Sequence, residues 1–215
     1  MPVFLSTEEL ARLRGHRWQI SCLEFSPDGG KLASGGWDKE VRVWDLSSLD
    51  ESAVMKEVHD VPVTTVSWYR PDGALLATGS ADFTVGLWNA ETGENLIVMR
   101  EHFGWVLGSS FALDGRFLAT ASWDKTVRLW DPGSGVLLNT LNAHTKGVWS
   151  VDFYPVGSST LLCSGSEDAT VRIWDARTNK PINCYRGGHK DAIYCVRWSS
   201  DGTYIASGSS DTKVC

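Results

Sequence analysis

The 215-residue sequence predicts an all-β chain in which one antiparallel four-stranded unit is repeated five times. Three observations predict this class. The five histidines, His16, His59, His102, His144 and His189, recur at intervals of 43, 43, 42 and 45 residues. An aspartate recurs with them, at Asp38, Asp82, Asp124, Asp168 and Asp211. A hydroxyl stands four residues before each one (Ser34, Thr78, Thr120, Ser164, Ser207), and a tryptophan six residues after the first four (Trp44, Trp88, Trp130, Trp174). A period near 43 with four fixed residue types marks a repeat architecture. Between the markers, apolar residues alternate with polar ones in short runs rich in Val, Ile, Trp and Thr, the period-two signal of half-buried strands.

Each element has its own signal. In the first unit Ile20, Leu23 and Phe25 lie on a run that ends at SPDGG, which is the first strand. Leu32 and Ala33 belong to the second, a tight turn follows at Gly36-Trp37-Asp38, and Val41 and Val43 lie on the third, VRVWD. Asp-Gly pairs at 28–29, 72–73, 114–115 and 201–202 mark the same hairpin turn in four units, and Val156-Gly157 replaces it in the fourth. A fourth strand per unit fits AVMKEV, NLIVM, VLLNTL and INCYR, each just before the next histidine. Near the N-terminus STEELARL, with Ser6 and Glu9 as a capping box, reads as a short helix as easily as a strand.

Composition narrows the function classes. With 20 basic and 26 acidic side chains the formal charge is −6, which argues against a nucleic-acid backbone as the main partner. Hydrophobic residues at 42% place the chain among globular proteins and exclude a disordered tail or a small disulfide scaffold. No apolar run approaches the roughly 20 residues that span a bilayer, so no membrane partner is expected, and MPVFLSTEEL carries no signal-peptide pattern. Cys22, Cys163, Cys184, Cys195 and Cys215 are odd in number and irregularly spaced, which predicts reduced thiols and a cytoplasmic or nuclear location. The first four fall in predicted strands, where small buried side chains are expected.

The motifs RGH…SGGWDKEVRVWD, AH…SGSEDATVRIWD and ASWDKTVRLWD make the sequence resemble the WD-repeat family of β-propellers over essentially its whole length. It departs in places. Val58, Glu101 and Ala143 precede their histidines where Gly15 and Gly188 show the usual glycine, and Asn89 replaces the aspartate after Trp88. The resemblance implies a β-propeller of four-stranded blades over residues 16–215, with units starting near the five histidines and the last one truncated. Residues 1–15 then form an N-terminal segment, a short helix or a closing outer strand. Family members most often form seven-bladed rings, so the chain is expected to be part of a longer ring, with an authentic start and a premature end. A closed five-bladed ring, its last blade completed by residues before His16, is the alternative.

A serine, a histidine and an aspartate in one unit raise a hydrolase triad, but a set that occurs five times does not suit an enzyme. The resemblance implies instead that Trp, Ser/Thr, His and Asp form a hydrogen-bonded chain inside each blade, where a buried imidazole and carboxylate need partners. A zinc reading fails because each histidine belongs to a different unit, with no Cys or carboxylate pair at ligand spacing. No phosphate loop or lone nucleophile with its own base occurs. The expectation is a protein without catalytic residues, bound metal or cofactor.

Function is then expected on the surface. The resemblance places the His loops and Asp turns on one face around a central channel. Two positions per unit should point there: the residue before each turn Asp (Trp37, Ala81, Trp123, Glu167, Ser210) and the residue five after each His (Ser21, Thr64, Leu107, Trp149, Tyr194), with Trp18 and Trp105 nearby. Of 11 tryptophans, four anchor strands and two, Trp68 and Trp198, stand where other units have Phe, which leaves five for loops and rim. Exposed Trp and Tyr are residue types of interface hot spots; packing between blades is their alternative role. Of the pre-turn positions only Glu167 is charged, so neither an acidic cup nor a basic cluster for histone or phosphopeptide reading is expected. Finally, Trp174-Asp175-Ala176-Arg177 is a WDxR sequence. It is similar to the motif by which some family members dock, through the equivalents of Asp175 and Arg177, onto the adaptor of a cullin-RING ubiquitin ligase. The leading expectation is a non-catalytic scaffold for protein partners, and the alternative is a ligase substrate receptor.

Overall fold

The computed structural model of the chain describes residues 11–57, 59–157 and 160–215. Four sheets have four antiparallel strands each. The first holds β1 (Ile20–Phe25), β2 (Lys31–Gly36), β3 (Val41–Asp45) and β4 (Glu51–Met55). The second holds β5 (Val63–Trp68), β6 (Leu75–Ser80), β7 (Val85–Asn89) and β8 (Asn95–Met99). The third holds β9 (Val106–Phe111), β10 (Leu118–Ser122), β11 (Thr126–Trp130) and β12 (Leu137–Asn142). The fourth holds β13 (Val148–Phe153), β14 (Leu161–Ser166), β15 (Val171–Asp175) and β16 (Pro181–Tyr185). A fifth sheet pairs β17 (Ile193–Trp198) with β18 (Ile205–Ser209), and a single bridge from Gly208 to Val214 starts a third strand. These are the blades of an all-β propeller, the last one truncated.

The turns follow from sequence. Gly29, Gly73, Gly115 and Gly202 take positive φ angles of 69–74°, and Gly157 matches them at 66° although Val replaces Asp before it. The left-handed residue is what the hairpin needs, and glycine takes it without a Cβ clash. The first outer strand differs from expectation. It runs over Glu51–Met55 rather than AVMKEV, because a turn closed by the Asp45 N–H on the Asp50 carbonyl, 2.9 Å, starts it early. Lys56, just beyond it, pairs with Glu40 at 3.2 Å. The proposed capping-box residues Ser6 and Glu9, and Val58, lie outside the described residues, and residues 11–19 carry neither helix nor strand. Among the described residues there is no helix, hence none long and apolar enough to cross a membrane.

The core lies between blades. Ala33, Val41, Val43 and Met55 of the first blade pack on Val63, Val66 and Trp68 of the second. The same arrangement follows one blade on, where Val85 and Leu87 meet Val106 and Phe111, and again where Val127 and Leu129 meet Val148, Val151 and Phe153. Each inner strand from the second on thus turns its first, fourth and sixth residues against the blade before it, all of them buried except the half-buried Trp198. In the first blade the equivalent residues Ile20, Leu23 and Phe25 are exposed, Leu23 and Phe25 each to 61%.

Polar side chains clasp one blade to the next. Glu24 accepts the Trp68 N–H at 2.8 Å, Ser110 the Phe153 N–H at 3.2 Å and Asp152 the Trp198 N–H at 2.9 Å. All three occupy the fifth position of an inner strand. Burial pushes the Glu24 and Asp152 carboxyls upward, and Arg70 and Arg197 partly offset it.

Candidate partner-binding face

Each unit builds a hydrogen-bonded frame from its four marker residues. In the first, the Trp44 indole N–H donates to Ser34 Oγ at 2.8 Å, Ser34 meets His16 Nε2 at 2.8 Å, and His16 Nδ1 meets Asp38 at 2.9 Å. The chain recurs through Trp88, Thr78, His59 and Asp82. It recurs again through Trp130, Thr120, His102 and Asp124, and through Trp174, Ser164, His144 and Asp168. In the fifth unit Ser207, His189 and Asp211 form the same links. The hydroxyl accepts the indole proton and gives its own to Nε2, so Nδ1 carries the ring proton and donates it to the carboxylate. Burial holds His102 and His144 below the usual histidine range, although their aspartates pull the other way.

The aspartates also pin backbone. Asp124 accepts the Phe103 N–H at 3.1 Å and the Thr126 N–H at 3.0 Å, and each of the other four accepts an equivalent pair. The residue after each turn aspartate takes a left-handed conformation: Lys39, Phe83, Lys125, Ala169 and Thr212 have φ between 62 and 73°. Non-glycine residues rarely do so; here the aspartate bonds on both sides hold them. Sequence reasoning missed these positions because their residue types share nothing.

This frame aims two sets of side chains. The backbone N–H before each turn aspartate is tied to the loop that enters the inner strand, as in Trp123 N–H to the Trp105 carbonyl at 2.9 Å and Glu167 N–H to the Gly147 carbonyl at 3.0 Å. Trp37, Trp123 and Ser210 are exposed, Ala81 and Glu167 half-buried. The second set has a physical cause that the sequence hides. Strand pairing skips one residue in every inner strand: Ser21, Thr64, Leu107, Trp149 and Tyr194. Each is the extra residue of a β-bulge, a device that re-aims a side chain. All five line one cavity of about 310 Å³ in the channel. Ser21 and Thr64 are used between blades, where their hydroxyls meet the Val63 and Val106 carbonyls of the following inner strands.

Four of the predicted side chains join into one ridge. Trp105 meets Trp123 with ring centroids 6.1 Å apart, Trp123 meets Trp149 at 5.6 Å, and Trp149 meets Tyr194 at 4.7 Å. The last two contacts are edge-to-face, a favoured aromatic geometry. The ridge crosses three blades on the face of the His loops. Trp105, Trp123 and Tyr194 touch their neighbours and still face outward, while Trp149 is half-buried between them with its indole nitrogen enclosed. At one end Phe83 and Phe103, which sequence reasoning did not single out, join Trp105 and Trp123 around a cavity. Trp18 and Trp37 are exposed on the first blade, apart from the ridge, and Leu107 and Glu167 are half-buried beside it.

On the connection that follows β15, Arg177 forks onto Asp175, with Nε at 3.0 Å and Nη2 at 2.6 Å from the carboxylate. The Arg177 side chain is 71% exposed. The cysteines correct an expectation. Cys163 is buried, but Cys22 and Cys184 are half-buried and Cys195 is exposed. Cys184 lies on the outer strand β16, half open to solvent, and Cys195 lies on the inner strand of the fifth blade, facing the channel. All five thiols are free. Among the described residues no cluster of His, Cys, Asp or Glu is placed to hold a metal ion.

The family profile described as "WD domain, G-beta repeat" matches residues 7–45, 53–89, 93–131, 135–175 and 179–215. The chain is 44% identical over 63 residues, 29% of its length and 15% of the relative's, to an uncharacterized WD repeat-containing protein of Schizosaccharomyces pombe. It is 41% identical over 44 residues, 20% of its length and 5% of the relative's, to the periodic tryptophan protein 2 homolog of Neurospora crassa. It is 34% identical over 68 residues, 31% of its length and 14% of the relative's, to anaphase-promoting complex subunit cdc20 of Dictyostelium discoideum. The matched stretches are thus a small part of each of these proteins.

Proposed function

The chain belongs to the WD-repeat family, whose members generally bind other proteins, and from that premise we propose that it is a non-catalytic scaffold holding a protein partner on the face of its His loops. One observation carries the reading: the ridge of Trp105, Trp123, Trp149 and Tyr194, continuous across three blades, with Trp105, Trp123 and Tyr194 exposed and Trp149 half-buried between them. A contiguous exposed apolar surface marks an interaction site. Tryptophan and tyrosine bring large contact area, and a frame that already holds them still lowers the entropy lost on binding. The repeated His, Asp and hydroxyl groups serve that frame, since each is fully engaged with its neighbours. Its free thiols suit a cytoplasmic or nuclear site.

A second reading has its own observation. The Asp175–Arg177 fork presents an exposed guanidinium away from the ridge, and an arginine so oriented suits docking to an acidic or carbonyl-rich surface. On this reading the chain is a substrate receptor that meets a cullin-RING adaptor there. One experiment tests both. Proteins captured from cells by the wild type are compared with those captured by Trp123→Ala and by Arg177→Ala. The scaffold reading expects partners that are lost with Trp123→Ala and kept with Arg177→Ala. A ligase adaptor lost only with Arg177→Ala supports the second reading. A partner set unchanged in both variants overturns both.

A further inference from the structure

Phe83, Phe103, Trp105 and Trp123 surround a cavity of about 380 Å³ whose only other lining residue is Gly104. The four rings are 42, 80, 50 and 44% exposed, so none of the described residues covers them. Trp105 and Trp123 meet at 52°, forming a corner and not a stack. No charged or hydroxyl-bearing side chain lines the space. A primary ammonium placed there would lose its water and find no acceptor, and a carboxylate would be desolvated against the negative faces of the rings. Two kinds of occupant remain: a neutral apolar group, or a cation that holds its water weakly.

Two observations favour the cation. The Arg128 guanidinium already lies over the Phe103 ring, 5.6 Å from its centroid, so one wall of this cavity is in use as a cation surface. The surroundings are also acidic. Asp82 directly precedes Phe83 and Asp124 directly follows Trp123, their carboxylates turned into the frame behind the rings, and the exposed Glu101 stands two residues before Phe103, against Lys125 and Arg128, which lies 3.9 Å from both Glu101 and Asp124. Asp124 is hydrogen-bonded to His102, whose burial disfavours the charged imidazolium, so the carboxylate keeps its charge. Quaternary and methylated ammonium groups have the matching chemistry: they are positively charged, bulky, weakly hydrated and attracted to ring faces.

We infer that the cavity between Phe83, Phe103, Trp105 and Trp123 binds a methylated ammonium side chain of the partner, so that the partner presents a methylated lysine at this end of the ridge. The inference rests on the partner-binding role proposed for this face and names the group that anchors there.

The test uses the full chain and three small probes: blocked trimethyllysine, blocked lysine, and the neutral carbon isostere of trimethyllysine. Indole N–H signals of Trp105 and Trp123 are followed by NMR as each is added. Trimethyllysine is expected to shift both signals saturably and to bind about tenfold tighter than the neutral isostere, the scale of a cation–π contact. Unmethylated lysine is expected to bind more weakly than trimethyllysine. Phe83→Ala removes one wall without touching the ridge contacts, and it should abolish the shifts while leaving the thermal midpoint unchanged. Equal binding of the isostere would overturn the inference in favour of a neutral apolar anchor. Silence from every probe would also overturn it, and if capture of partners still depends on Trp123 the face would remain an interface with another anchor.

Discussion

Asp82 accepts hydrogen bonds from three directions: the His59 ring, the Asp60 backbone N–H, and the Thr84 N–H and hydroxyl. Burial alone would raise its pKa from 3.8, but the bonds from His59 and Thr84 outweigh it and hold the carboxyl at about 2. The consequence for stability has a definite sign. Between these values the unfolded chain binds more protons than the folded one, so the contribution of Asp82 is complete above pH about 4 and is lost as pH falls toward 2. Asp82→Asn removes that titration. The stability gap between wild type and Asp82→Asn, measured by urea midpoints, should be constant down to pH about 4 and close below it. A gap that persists unchanged to pH 2 would contradict the network. At this scale much was legible. His, Ser/Thr, Asp and Trp repeat at fixed spacing because each has one place in the hydrogen-bond chain. Lys39, Phe83, Lys125, Ala169 and Thr212 were not legible, since their shared left-handed backbone is imposed by neighbours and leaves no mark on residue type.

Strands meet across blades with little room to spare. A Cβ at Gly79 would lie 2.5 Å from Val106 Cγ1 and 2.8 Å from Thr65 Cγ2, closer than atoms pack. Gly35 and Gly165 meet the next inner strand in the same way. Gly208, the equivalent in the fifth blade, has nothing within 4 Å because no blade packs against it. Gly79→Ala should therefore cost about 1–3 kcal/mol, the usual range for overpacking, and Gly208→Ala should stay within about 0.5 kcal/mol. Denaturant midpoints check both, and equal losses at the two sites would contradict the account of blade contact. The alternating apolar pattern marked the strands, but it set the first outer strand at AVMKEV where the structure has Glu51–Met55. The bulges escaped it, because Ser21, Thr64, Leu107, Trp149 and Tyr194 have no chemistry in common and a skipped ladder position is a property of pairing. The exposure of Cys195 escaped for a related reason: burial depends on which way the strand turns a residue and on what stands beside it.

The molecule is a row of blades whose order in sequence is their order in space, as repeat architectures require. Nearest neighbours supply the core, so Ile20, Leu23 and Phe25 stay exposed at the first blade for want of a blade against them. The aromatic face is the other consequence of this order. Trp105, Trp123, Trp149 and Tyr194 lie far apart in sequence, and their contact depends on the blade spacing that places each beside the next. The sequence located them on one face through the family pattern, but neither their contact nor the cavity at Phe83 and Phe103 could be read from it. The central claim is a division of labour between frame and face. Trp123 and Asp124 adjoin in sequence and belong to opposite sides of it: Asp124 holds His102, Thr126 and the turn, while Trp123 stands outward. Thermal melting of Asp124→Asn beside Trp123→Ala tests this most directly. The account predicts that Asp124→Asn lowers the midpoint by roughly 4–8 °C, as a loss of about 2 kcal/mol would in a chain of this size, and that Trp123→Ala melts within about 2 °C of wild type. A Trp123→Ala midpoint lowered as far as that of Asp124→Asn would make the ridge part of the packing and contradict the account.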